Sequence, residues 1–315
     1  MIEIQGLTKQ YGSVRAVDDV TFEVKPGVVT GFLGPNGAGK ATTMRMILGL
    51  DRPPAGRALI DGVPYGELRN PLTKVGALLD AKAVHPNRSA RNHLKWMAQS
   101  NGLPLSRVDE MLGIVGLDGV AGKKAGGFSL GMGQRLGLAA ALLGDPEVLL
   151  LDEPVNGLDP EGIRWVRSLV KALAAEGRAV LISSHLLSEM ALTADQLVVI
   201  GRGRLIADMP TYDFVKQYSG SSVIVRAEHL DAFADTLSSE GIGYERGADE
   251  EGRPTLIVPD QTTESIGRLA FSVGVALDEL ALRRASLEDA FMELTRDDVQ
   301  YQSRPAGNQG GHHAR

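Results

Sequence analysis

The sequence predicts an α/β fold built on a mostly parallel sheet, followed by a smaller α+β domain. Three observations carry that reading. Apolar runs at Val148–Leu151, Ala179–Ile182 and Leu197–Ile200 are short, continuous and rich in Val, Leu and Ile, with a helical stretch between each and the next; strands buried on both faces read this way. A glycine-rich loop at Gly34–Gly39 joins an apolar run to a helix. The charge balance shifts near residue 210: residues 1–210 carry 23 basic and 21 acidic side chains, residues 211–315 carry 10 and 18. A chain of 315 residues has the length of two domains.

The elements follow in order. Val20, Phe22 and Val24 alternate with polar residues, as a half-buried strand does, and Val28–Leu33 is a second strand. Residues 42–50 read as a helix with Met44, Ile47 and Leu48 on one face, stopped by Asp51-Arg52-Pro53-Pro54-Ala55-Gly56. Val75–Leu79 is a short strand. Residues 88–143 read as mostly helical, broken at Gly113, Gly116, Gly119 and Gly126-Gly127. Beyond residue 220, Ser222–Ala227 alternates, 229–240 is helical, Tyr244–Val258 forms a hairpin, 262–273 is helical and Val275–Arg283 is a strand. Ser286-Leu287-Glu288-Asp289 resembles a capping box opening a last helix with Leu287, Ala290, Phe291 and Leu294 on one stripe. These readings give domains at 1–210 and 211–298, with a disordered Gly/Asn/Gln/His-rich tail over 299–315.

Composition excludes several classes. The net charge is -6, against a general nucleic-acid binder. With no cysteine there is no disulfide, Cys-ligated zinc or Cys nucleophile. No stretch approaches the ~20 apolar residues that span a membrane, and Met1-Ile2-Glu3-Ile4 opens no signal peptide. The expectation is a cytosolic chain whose membrane role would come through a partner.

Gly34-Pro35-Asn36-Gly37-Ala38-Gly39-Lys40-Ala41-Thr42-Thr43 sits between a strand and a helix, where a phosphate loop must sit. Glycines let backbone N–H groups turn inward, the helix N-terminus adds partial positive charge, and Lys40 adds a full one. Such a loop holds the β and γ phosphates of a nucleotide. It has one defect: the residue after the lysine supplies a hydroxyl to Mg2+ in this motif, and Ala41 has none. Thr42 lies ~100° further round the helix and need not substitute.

Val148–Leu151 ends in Asp152-Glu153, two carboxylates at the C-terminal edge of a sheet, where ligands bind in such folds. Asp152 is placed to hold Mg2+ and Glu153 to polarise an attacking water. Ser183-Ser184-His185 ends the next run, and a neutral His185 there could donate to a γ-phosphate. Ser129, with Gly131 behind it, opens an Ala/Leu-rich helix and makes a second anion site. One nucleotide does not need two such sites, so the second is suited to the nucleotide of another subunit.

Residues 1 to about 210 resemble the ATP-binding subunit of ABC transporters, with the motifs in the family's order. Gly34–Lys40 matches the Walker A loop, and Phe128-Ser129-Leu130-Gly131-Met132 stands at the LSGGQ signature. Leu151-Asp152-Glu153 is the Walker B end, Gly157-Leu158-Asp159 the D-loop and His185 the switch histidine. Tyr11 matches the aromatic that stacks on adenine. Asp80 falls at the Q-loop glutamine, where the resemblance implies a metal contact, and Met132 replaces the last signature glutamine. Residues 211–298 are similar to the C-terminal extension of bacterial drug-resistance and bacitracin-type export ATPases.

The resemblance implies a P-loop ABC-type ATPase using ATP and Mg2+, with a helical subdomain at about 80–145 that grips a separately encoded permease. Two ATPase subunits would pair head to tail on ATP at the cytoplasmic side of the membrane. Ser129 and Gly131 of one would cap the γ-phosphate held by Lys40 of the other, hydrolysis would release the pair, and the C-terminal likeness favours efflux. Three other classes compete less well. A non-transport ABC-type ATPase acting on ribosomes or DNA usually has two ATPase halves or a coiled coil, where this acidic chain has one Walker A loop and no heptad run. A GTPase or kinase shares the phosphate loop, but a GTPase needs an Asn-Lys-x-Asp base reader that the sequence lacks. An ATP-gated module with weak hydrolysis, raised by Ala41, is opposed by the retained Lys40, Asp152, Glu153 and His185.

Overall fold

The computed structural model describes residues 1–218, 222–249, 251–283 and 287–295. The last-helix cap at Ser286 and the tail over 299–315 lie outside the described residues. Met1–Met209 form one compact unit and Pro210–Leu294 another.

The first unit opens with strands β1 (Ile2–Tyr11), β2 (Val14–Val24) and β3 (Val29–Leu33), then helix α1 (Lys40–Ile47) and β4 (Ala55–Ile60). Next come α2 (Pro71–Lys74), β5 (Val75–Leu78), α3 (Ala90–Ser100), α4 (Ser106–Ile114) and α5 (Leu130–Leu142). It ends with β6 (Val148–Asp152), α6 (Pro160–Ala175), β7 (Ala179–Ser183), α7 (Leu187–Thr193), β8 (Gln196–Gly201) and β9 (Arg204–Pro210). Six strands form a sheet in the order β5-β6-β7-β3-β8-β9, parallel from β5 through β8. The interior strands are buried along their length, which explains their unbroken apolar runs.

A second, antiparallel sheet has the order β2-β1-β4. Its apolar face, from Ile2, Ile4, Leu7, Val20, Phe22 and Val24, shares one core with Phe32, Met44, Leu150, Leu181 and Val198 of the parallel layer. Phe22 and Phe32 meet with ring centroids 5.3 Å apart, and each such buried aromatic is worth roughly 1.5–3 kcal/mol. The sequence reading placed a strand at Val20–Val24 but none at β1, β4 or β9. β1 has register shifts along both its pairings, and those bulges spoil the period-2 pattern. β4 begins inside the segment read as a turn, with Gly56 at φ 76°.

The second unit contains α8 (Thr211–Tyr218), β10 (Ser222–Ala227), α9 (Leu230–Ser239), β11 (Glu245–Ala248), β12 (Pro254–Pro259), α10 (Thr263–Ser272), β13 (Leu277–Arg283) and α11 (Leu287–Thr295). Its antiparallel sheet runs β11-β12-β10-β13. Val223, Val225, Phe233, Leu237, Leu256, Val258 and Ile266 form its core. Thr262 and Ser265 cap α10 reciprocally.

Candidate functional site

The strand order decides what meets at the sheet's edge. β3 delivers the glycine-rich loop, β6 delivers Asp152 and Glu153, and β7 lies between them and delivers Ser183 to His185. Asn36, Gly37, Gly39, Lys40, Ala41 and Thr42 line a cavity of about 290 Å3 together with Ala16, Asp152 and Glu153. Gly39 has φ 108°, and a Cβ there would stand 2.4 Å from the Ala16 carbonyl oxygen. Only glycine fits that turn into α1. The first N–H groups of α1 have no partner within the helix and face an anion's place.

Lys40 is folded back over this loop, its Nζ donating to the carbonyls of Gly34 (2.5 Å) and Pro35 (3.3 Å). Burial holds its ammonium below the usual lysine range, and the nearby Glu153 and Asp152 charges oppose that shift. Burial raises the Asp152 carboxyl; Ser183, donating to its Oδ1, and Lys40 pull it back down. Glu153 meets His185 twice, at Nδ1 (2.6 Å) and at the His185 N–H (3.3 Å). An ammonium, a helix terminus and two carboxylates around one small cavity suit a polyphosphate with a counter-cation and a polarised water.

Other residues expected at the site are placed differently. Thr43 is buried and turned into α1, its hydroxyl donating to the Gly39 carbonyl at 3.0 Å, so its side chain is absent from the cavity wall. Pro35 and Ala38 shape the loop through the Ala38 N–H to Pro35 carbonyl turn (3.1 Å). Tyr11 is 48% exposed, donates to Asp51 (3.1 Å) and carries the Lys9 ammonium 5.1 Å from its ring centroid. It reaches the site only through Thr42, within hydrogen-bonding range of its oxygen.

Asp80 is not brought to the cavity. Its Oδ1 accepts the Lys82 N–H at 2.7 Å, closing a local turn after β5, and its carboxylate is exposed. Asp80, expected from the resemblance to contact a metal, does not line the cavity that Asp152 lines. No cluster of three His, Cys, Asp or Glu side chains suited to a metal occurs among the described residues.

Ser129 caps α5, its Oγ accepting the Met132 N–H at 3.2 Å. It lines a separate groove of about 510 Å3 with Ala81, Val84, Pro86, Phe128 and Leu136, so one chain does not bring Ser129 to Lys40. Gly131 packs on the turn after β6; a Cβ there would lie 2.8 Å from the Gly157 carbonyl oxygen. Asp159 of that turn caps α6 through the Gly162 N–H (2.8 Å).

Two residues were not found from the sequence: Ala16, which lines the cavity, and Gln134, which bonds to the backbone of Glu153. Gln134 is 4% exposed, and its Nε2 donates to the Glu153 carbonyl at 2.6 Å. A buried amide in an Ala/Leu-rich helix was the available signal, since buried polar groups have partners.

Comparison with known proteins adds the following. The family model described as "ABC transporter" matches residues 17–156. An "AAA domain, putative AbiEii toxin, Type IV TA system" model matches 123–191, and a domain of unknown function matches 221–288. The chain is 35% identical over 309 residues to the bacitracin transport ATP-binding protein BcrA of Bacillus licheniformis, covering 93% of this chain and 97% of that one. It is 36% identical over 221 residues to the lantibiotic transport ATP-binding protein SrtF of Streptococcus pyogenes, covering 70% and 93%. A solved structure of an ATP-binding subunit of an ABC transporter superposes with a TM-score of 0.64 at 27% identity, covering 69% of this chain and 93% of that one.

Proposed function

The chain belongs to the ABC transporter ATP-binding family, and from that premise we propose that it powers a separately encoded membrane permease exporting drugs or other amphipathic compounds. The chain is an ATPase with a P-loop α/β fold. None of its described helices is long and apolar enough to cross a membrane, in keeping with attachment at the cytoplasmic face through the permease. The relatives named for bacitracin and lantibiotic transport support the substrate class. The groove beside Ser129, lined by residues between 81 and 86, between 125 and 129 and by the start of α5, supports this part of the 80–145 segment as the permease-gripping face.

The observation that carries the mechanism is the cavity shared by Lys40, Asp152 and Glu153, with His185 on Glu153. Lys40 and the loop amides bind the β and γ phosphates of ATP, and Tyr11 receives the adenine. Glu153 accepts a proton from water as its oxygen bonds to the γ-phosphorus; the bond to the β-phosphate oxygen breaks, leaving ADP and inorganic phosphate. His185 orients Glu153.

Asp152 would hold Mg2+. The donor set fits, because Mg2+ takes one or two carboxylates with phosphate oxygens and water, although neither Ala41 nor Asp80 contributes. Bound there, the ion would neutralise charge on the β and γ phosphates.

Ser129 and Gly131 cap the nucleotide of a second subunit, so ATP closes a dimer and hydrolysis opens it. The single-chain separation of Ser129 from Lys40 supports this pairing. Glu153→Gln keeps the shape of the base but cannot accept the proton, so the variant should accumulate ATP and migrate as a dimer in size-exclusion with Mg-ATP. A variant that stays monomeric at high concentration would sink the pairing. Ala41 favours a second reading, an ATP-gated module with weak hydrolysis; absence of turnover at any Mg2+ concentration would select it.

A further inference from the structure

Glu153 has a left-handed backbone with φ 49°. Seven non-glycine residues have positive φ among the described residues, and five are Asp or Asn, whose short polar side chains tolerate that region. Glu153 and Arg202 lack this local compensation. The Glu153 conformation must therefore be imposed by its surroundings.

A backbone turn, in which the Glu153 carbonyl accepts the Asn156 N–H at 3.1 Å, and contacts from two further residues hold it there. The Glu153 N–H is accepted by the Ser183 carbonyl at 3.3 Å and by the Ser183 Oγ at 3.1 Å. The Glu153 carbonyl accepts from Gln134 Nε2 at 2.6 Å. Both flanking peptide groups are thus tied, one to β7 and one to α5. Ser183 is fully buried and Gln134 nearly so, and neither contact competes with open solvent.

The Ser183 hydroxyl works in two directions. Its hydrogen goes to Asp152 Oδ1, and its lone pair receives the Glu153 N–H. One oxygen therefore sets the spacing of the two acids. With the backbone turned this way, the Glu153 carboxylate lies on the cavity wall and reaches His185 Nδ1 at 2.6 Å. A relaxed right-handed or extended backbone would swing that carboxylate elsewhere.

We propose that Gln134 and Ser183 are positioning residues for Glu153, holding its backbone in the left-handed conformation that aims its carboxylate into the nucleotide cavity. The assignment rests on the reading of Glu153 as the base. Gln134 also ties that base to α5, the helix capped by Ser129. A contact that served folding alone would lower stability without separating kcat from KM.

The test uses the full chain with Gln134→Met, Ser183→Ala and Ser183→Thr. Methionine keeps the length of glutamine without its donor, and threonine keeps the hydroxyl. We expect kcat for ATP to fall about 10- to 100-fold in Gln134→Met, and toward the lower end of that range in Ser183→Ala, because small displacements of a reacting group cost rates on this scale. KM should stay within about twofold of the wild type, and Ser183→Thr should restore most of kcat. Hydrogen exchange over residues 150–157 gives a readout without turnover: the Glu153 amide should exchange about tenfold faster in Gln134→Met and Ser183→Ala, and near the wild-type rate in Ser183→Thr. Unchanged kcat, KM rising with the loss of kcat, no rescue by threonine, or unchanged exchange would each overturn the assignment. A wild-type chain without ATPase activity would refute the catalytic reading instead, and the exchange rates would still decide whether the clamp exists.

Discussion

His185 Nδ1 lies 2.6 Å from Glu153 Oε2, and the His185 backbone N–H points at the same oxygen. An ionised Glu153 can only accept, so Nδ1 carries the hydrogen in that pair. A neutral imidazole then has a lone pair on Nε2, and donation from Nε2 to a phosphate requires the imidazolium. This contact supports the proposed role of His185 as an orienter of Glu153, beside the phosphate donor expected from the sequence. His185→Ala should lower kcat by roughly 100-fold, the scale on which a misplaced reacting group loses rate, and leave ATP affinity nearly unchanged. A fall in affinity matching the fall in kcat would place His185 on the phosphate instead.

Ala41 lines the cavity without an oxygen to offer, so Mg2+ is one protein ligand short of the usual loop. Ala41→Ser should lower the Mg2+ concentration for half-maximal ATPase activity, and metal-free ATP binding should not change, because Lys40 and the amides do not act through the ion. The measurement is a magnesium titration of both proteins. An equal midpoint would mean that Thr42 or water already completes the shell.

Every nucleotide-site residue lies before residue 186, and Met1–Met209 form a compact unit. A chain ending at residue 210 should stay folded and bind ATP as the full chain does, by equilibrium dialysis. Loss of binding in a truncation with intact circular dichroism would count against the boundary.

His93 on α3 is buried, with an Nδ1 that has no hydrogen-bond partner. Burial, and then the Arg88 charge, hold its imidazole below the ordinary 6.5. Above 6.5 both folded and unfolded chains carry neutral His93, and below it the unfolded chain protonates first. Stability is therefore lost as the pH falls through 6.5 toward the depressed folded value. Thermal unfolding between about pH 7.5 and pH 5.5 should show a smaller drop for His93→Leu than for the wild type. Parallel curves would remove His93 as the cause.

The site was legible where chemistry is encoded in consecutive residues. Gly34–Lys40 and Leu151-Asp152-Glu153 declare their geometry, because a phosphate loop and a strand end are local structures. Gln134 was not legible, because its function is one hydrogen bond to a residue 19 positions on, set by how α5 packs. Asp80 shows the converse: its place in the motif order does not reveal the Lys82 N–H bonded to one of its carboxylate oxygens. In the fold, buried strands announced themselves as apolar runs, while β1 was masked by its bulges and β4 by Gly56. The second unit followed its alternation closely, since a two-layer α+β domain shows one apolar face per strand.

The central position of β3 has a consequence for synthesis. β3 pairs with β7 on one side, Val29 opposite Val180, and with β8 on the other, Thr30 opposite Gln196. A nascent chain therefore presents Lys40 and its loop long before either neighbour of β3 exists. Pairings so distant in sequence form late, after the closure of a large loop. During translation the first half of this protein should hold no nucleotide, and the amides around Lys40 should become protected in one step once the segment beyond residue 200 clears the ribosome. Until then the strand carrying the phosphate loop has two open edges, so this is the interval in which a chaperone would have most to cover.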